Sequence, residues 1–128
     1  MAYFSDEARF LAAVAEVFER VEDWLDASGA DVDTALQGPV LQIDFADQSR
    51  VILNAQAPLQ EIWLASRAGG WHFRADATGA WVDTRAGESL EALLVASVHL
   101  HGGAEQTLAP LQLRVAASGS TPSAGTPP

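Results

Sequence analysis

Seven carboxylates crowd residues 16–33 of this 128-residue chain: Glu16, Glu19, Glu22, Asp23 and Asp26, followed by Asp31 and Asp33. Arg20 is the one positive charge within the row. Oxygen ligands without sulfur or an adjacent imidazole suit hard or borderline cations such as Ca2+, Mg2+, Mn2+, Fe2+ or Fe3+. Carboxylates three or four apart on a helix offer each ion one or two ligands, with water completing the shell, so holding is weak and transient. The same row also describes the solvated face of an acidic protein. Either way it is costly: like charges at i,i+3 and i,i+4 repel by roughly 0.2–0.5 kcal/mol per pair. Glu22, Asp23 and Asp26 also fall at the expected helix C-terminus, where the dipole disfavours an anion by about 0.3–1 kcal/mol.

A second constellation runs from Asn54 through Gln56, Pro58 and Glu61 to Trp63 and Leu64. In a strand, Ile62 and Leu64 share one face and Glu61 and Trp63 the other, so aliphatics on the core turn the indole outward. An outward Trp63 beside Asn54 and Gln56 has the chemistry of an interface anchor, unless flanking strands or the tail cover it. Nucleophilic catalysis has no candidate. The chain contains no cysteine, Gly-x-Ser-x-Gly elbow, phosphate-binding loop or paired-histidine motif. His72 belongs to a strand, and His99 and His101, two apart near a helix end, read as structural or solvent histidines. Without thiols the protein makes no disulfide, thiolate metal site or persulfide.

Charge narrows the partners. Residues 1–33 carry nine acids and two arginines out of a net charge of −10, and lysine is absent throughout. That balance argues against nucleic acid and for cationic partners. No apolar run approaches the roughly 20 residues of a membrane span, and MAYFSDEARF lacks a secretory or mitochondrial pattern, so a cytoplasmic location is expected.

The elements that must position these groups follow from periodicity. Phe10, Leu11, Val14, Val17, Phe18, Val21, Trp24 and Leu25 form one apolar helical face, with an N-cap expected at Ser5 and an end near Ser28-Gly29. Strands are expected at 31–36, 40–45, 50–54, 59–66, 71–74 and 81–83. A second helix is expected from a start at Arg85-Ala86-Gly87-Glu88, through Leu90, Leu93, Leu94, Ser97 and Val98, to Gly102-Gly103. The order helix, strand run, helix defines an α+β two-layer sandwich, an antiparallel sheet of about six strands covered on one face by the N- and C-terminal helices. Leu108, Leu111 and Leu113 are expected along the groove between the helices, and 116–128 has the composition of a disordered tail.

Three separated motifs give the chain a family likeness: Asn54-x-Gln56-x-Pro58-Leu59-x-Glu61-Ile62-Trp63-Leu64-Ala65, Gly69-Gly70-Trp71-His72-Phe73, and Trp81-x-Asp83-x-Arg85-x-Gly87-Glu88. With the acidic first helix, they resemble the frataxin family, in its bacterial CyaY-type branch. The resemblance implies a domain over residues 1–105 with an extension over 106–128. It implies an iron-binding regulator of iron–sulfur cluster assembly, not an enzyme, which docks on the cysteine desulfurase and its scaffold; an iron-storing ferroxidase is the alternative. Glu16, Glu19, Glu22, Asp23, Asp26, Asp31 and Asp33 then form the metal ridge. Glu19, Glu22 and Asp23 serve the desulfurase, and Asn54, Gln56 and Trp63 form a sheet-face docking motif. A monomer is implied, with oligomers induced by iron. Phe18 stands where relatives often carry a carboxylate, and 27–30 is uncharged, so the ridge is thinner than in its relatives.

Overall fold

The computed structural model describes residues 3–102 and 107–115. Helix α1 spans Glu7–Ala27. Its cap is Asp6 and not Ser5, because the Asp6 carboxylate accepts the Arg9 N–H at 2.8 Å, satisfying a donor that the first turn leaves free. Phe10, Val14, Val17, Phe18, Val21, Trp24 and Leu25 are buried, as the periodicity predicts, while Leu11 is half-buried at the border of that face. The helix stops on Gly29, whose φ of +64° suits a residue without a Cβ. Gly29 N–H then reaches the Asp26 carbonyl and Ala30 N–H the Leu25 carbonyl, so the end is closed by backbone alone and no basic side chain enters the last turn.

Six strands follow: β1 (Val32–Gln37), β2 (Val40–Phe45), β3 (Arg50–Gln56), β4 (Glu61–Ser66), β5 (Gly69–Ala75) and β6 (Trp81–Asp83). They pair antiparallel in chain order, an uninterrupted meander. Strand β3 runs two residues beyond its expected end, and a single 3-10 turn, Ala57–Leu59, replaces the expected strand entry through Pro58. Proline fixes φ and lacks a donor, so a ladder position suits it poorly, and Gln60 turns back at φ +54° to start β4. Helix α2 spans Leu90–Gly102; Ser89 accepts the Ala92 N–H, placing the start later than the Arg85–Glu88 signal.

Both helices pack on one face of the sheet, which supplies Leu41, Ile43, Val51, Leu53, Ile62, Leu64, Phe73 and Trp81 to the core. Phe10 of α1 meets Trp81 edge-on at a centroid distance of 6.2 Å, joining the first helix to the last strand. Residues 107–115 lie across the helices as a strap, with Leu113 fully buried and Leu108 and Leu111 half-buried. Its backbone is tied on every side. Trp24 Nε1 donates to the Ala109 carbonyl at 2.7 Å, Ala109 N–H to Ser28 Oγ, Leu113 N–H to Glu91 Oε2, and Val115 N–H to the Gly79 carbonyl. The tail expected to be disordered, 116–128, lies outside the described residues.

Candidate metal and docking surfaces

The 100° helical step that buries one face of α1 necessarily turns Glu16, Glu19, Asp23 and Asp26 to water and leaves Glu22 half-exposed. Glu16 is ion-paired with Arg20 at 3.4 Å. Glu19, Asp23 and Asp26 have no cationic partner among the described residues. Glu22, Asp23 and Asp26 line one groove of about 260 Å³ with Leu25, Ala30, Val32 and Thr34, between the helix and β1. Thr34 Oγ1 donates to Glu22 Oε2 at 3.1 Å across it.

The other two predicted acids are placed elsewhere. Asp33 is paired in register with Asp44, on the sheet face opposite α1, because alternate strand residues point to opposite faces. Asp44 itself is held by Arg50 at 2.7 Å, and this hydrogen bond, aided by Gln42, keeps its carboxyl below the usual range. Asp31 borders a larger hollow of about 470 Å³ with Asp47 and His101. Among the described residues no three acidic or imidazole groups converge into a preformed metal cage, so any ion on this surface keeps much of its hydration.

The outer sheet face carries the second predicted group. The register sets Val40, Asn54, Trp63 and His72 in one transverse row, and Gln56, Glu61 and Arg74 in the next. Trp63 is half-buried and not a free outward anchor: His72 stacks on its ring at 4.1 Å with planes 7° apart, and its Nε1 donates to Glu61 Oε1 at 2.9 Å. Glu61, only 5% exposed, also accepts from Arg74 Nη2 and has His72 Nδ1 at 3.6 Å. Sequence reasoning missed this buried carboxylate and its role in fixing the indole. The signal was present in the i,i+2 spacing of Glu61 and Trp63.

His101 was likewise undervalued. It is 9% exposed; its Nε2 accepts the Arg67 N–H at 3.0 Å, and its Nδ1 lies 2.7 Å from Ser49 Oγ. An Nε2 that accepts requires the Nδ1–H tautomer, so the imidazole donates to Ser49 Oγ. Ser49 in turn donates to Asp47, whose other oxygen binds the Arg67 guanidinium at 3.0 Å, closing a ring of bonds. The Ser49 hydroxyl and N–H, then Arg67, hold the Asp47 carboxyl down to about 2. Burial, followed by Arg67, pushes the His101 pKa below its ordinary value against the opposing pull of Asp47.

Two helices over one face of a six-stranded meander define an α+β sandwich protein, with an open acidic flank and a stacked Trp–His pair on the bare face. The family model for the frataxin-like domain matches residues 3–104, and the chain belongs to that family. It is 41% identical over 106 residues to an iron-sulfur cluster assembly protein CyaY of Cupriavidus necator, covering 80% of this chain and 95% of the relative. The fold matches frataxin from Psychromonas ingrahamii with a TM-score of 0.73 and 28% identity, over 80% of this chain and 95% of that one. A trimeric frataxin of Saccharomyces cerevisiae complexed with ferrous shares the fold at a TM-score of 0.58 and 24% identity, over 80% and 90% of the two chains.

Proposed function

We propose that this protein regulates iron–sulfur cluster assembly, carrying iron as transient cargo on α1 and docking by the same acidic flank on a cysteine desulfurase. The observation that carries the reading is the uncompensated charge of Glu19, Asp23 and Asp26 beside Glu22, a row that runs into the last turn of α1, where Asp26 opposes the helix dipole. A flank maintained against roughly 0.3–1 kcal/mol per dipole-opposed anion is worth more as a binding surface than as solvent cover. The naming of the curated relatives as assembly proteins supports the same role. Asp31 and Asp33, off the groove, add to the negative field, and Glu16 is shared with Arg20. Asn54, Gln56 and Trp63 form the second surface, for the scaffold, on the face that both helices leave bare. The reading implies a cytoplasmic protein; among the described residues no helix is long and apolar enough to cross a membrane.

The triple reversal Glu19→Lys, Glu22→Lys, Asp23→Lys tests it against purified desulfurase. Binding is expected to fall at least about tenfold, and wild-type binding to weaken as salt rises. An Fe2+ titration followed by amide NMR is expected to move the signals of residues 19–26 first. A reversed, folded variant that binds desulfurase as tightly as wild type defeats the docking assignment.

A further inference from the structure

The two edges of the sheet are treated differently. At one end β6 is only three residues long and is covered by the chain that follows it: Val82 bridges Ser89, and the Asp83 N–H donates to the Glu88 carbonyl at 2.7 Å. At the other end β1 is six residues long, with all but Val32 exposed. Nothing among the described residues pairs with its outer side. Open edges invite strand addition, and proteins usually blunt them with lysines, prolines, bulges or a cover.

The hydrogen-bond phase of the meander fixes which groups the open edge offers. Phe45 N–H bonds the Ser49 carbonyl and Ala55 N–H the Pro39 carbonyl, so the odd-numbered residues of β2 bond toward β3. The even-numbered residues, Val40, Gln42 and Asp44, therefore bond toward β1, onto their register partners Gln37, Ala35 and Asp33. Thr34 and Leu36 are left with their N–H and C=O groups directed outward. Consistently, the Val32 N–H turns away from β2 to the Ala30 carbonyl.

Thr34 and Leu36 pair with Ile43 and Leu41, core residues, so their side chains lie on the α1 side of the sheet. A seventh strand beside β1 would align one residue with Thr34, facing the groove of Glu22, Asp23 and Asp26, and another, two along, with Leu36, which is 48% exposed. We infer that β1 accepts an extended segment of a partner protein as a seventh, antiparallel strand, with an arginine or lysine directed at the groove and an aliphatic residue two positions away. A second copy of this chain is a poor occupant, since pairing β1 with β1 brings two acidic flanks together in a protein of net charge −10. The inference rests on the docking role of the acidic flank and adds the backbone pairing that gives it register.

The probe is the peptide acetyl-Arg-Thr-Leu-Thr-Arg-amide, whose pattern reads the same in both directions. In antiparallel addition, which continues the meander, its leucine N–H faces β1 when the leucine is opposite Leu36, so N-methylation of the leucine blocks pairing, whereas N-methylation of the threonines leaves it open. With the unmodified and threonine-methylated peptides, exchange of the Thr34 and Leu36 amides is expected to slow about tenfold, and leucine methylation is expected to weaken binding by a similar factor. Equal binding of all three peptides without amide protection overturns strand addition. So does absence of binding, or protection that grows with protein concentration and not with peptide. If the triple reversal still abolishes desulfurase binding in those cases, the docking role stands and only the seventh strand falls.

Discussion

Replacing Asp26 by lysine should make this protein more stable. Asp26 lies in the last turn of α1, exposed, with Glu22 four and Asp23 three residues before it and no basic residue in that turn. Removing its charge relieves a dipole penalty of about 0.3–1 kcal/mol and two like-charge pairs of roughly 0.2–0.5 kcal/mol each. A lysine at the same position turns these repulsions into attractions of similar size, and the backbone closure at Gly29 and Ala30 does not use the Asp26 side chain. The sum is a gain of about 1–2 kcal/mol after allowance for screening and side-chain entropy. For a domain of this size that corresponds to a rise in Tm of roughly 3–8 °C. Thermal unfolding of wild type and D26K at low and at high salt measures it, and the gain should shrink as salt screens the exposed charges. An unchanged or lowered Tm at low salt refutes the claim that the flank is held at the expense of stability.

Three further outcomes are expected. Leu113→Ala should cost about 2–4 kcal/mol in urea unfolding, because a fully buried side chain leaves a cavity under a strap tied to Glu91; a loss below about 1 kcal/mol would mean that residues 107–115 do not share the core's unfolding transition. For His101 the folded pKa lies below the unfolded one, so its stabilisation is complete above about pH 6.5 and is lost as pH falls toward the folded value. H101Q should unfold with a shallower pH dependence below pH ~6.5, and an identical slope would remove the imidazole from the account. Glu61→Ala should leave the Trp63 indole N–H without its acceptor, shifting that NMR resonance and speeding its exchange, and should destabilise the fold by about 1–3 kcal/mol through the unpaired Arg74 and Trp63 groups. An unmoved indole signal would show that His72 alone places Trp63.

What the sequence disclosed depended on the range of the interaction. The apolar face of α1 and the alternation of β2 are local periodicities, and the burial of Phe10 through Leu25 and of Leu41, Ile43 and Phe45 follows them. The beginnings of elements were less legible because neighbouring residues compete to cap them, as Ser5 and Asp6 do at α1. The crowding of Glu22, Asp23 and Asp26 could be read from helical spacing, but the separation of Asp33 from them depends on strand register. Glu61 looked like a surface residue, since its apolar neighbours Ile62 and Leu64 define the opposite face. It is buried by side chains from β4 and β5, one of them 13 residues away. The His101 ring joins residues 34 and 52 positions distant, and no local pattern announces a contact of that span.

The meander has a further consequence for how the chain reaches this state. Each strand pairs with its sequence neighbour, so the sheet forms through hairpins that close quickly. Helix α1 takes some of its partners from the far end of the fold. Phe10 has no Trp81 to meet until β6 has been made, and Trp24 finds the Ala109 carbonyl 85 residues downstream. Until those residues exist, part of the apolar face of α1 lacks its native cover, and the charge on its back favours keeping partly made chains soluble and apart from their neighbours. The charges that burden the finished fold protect the unfinished one.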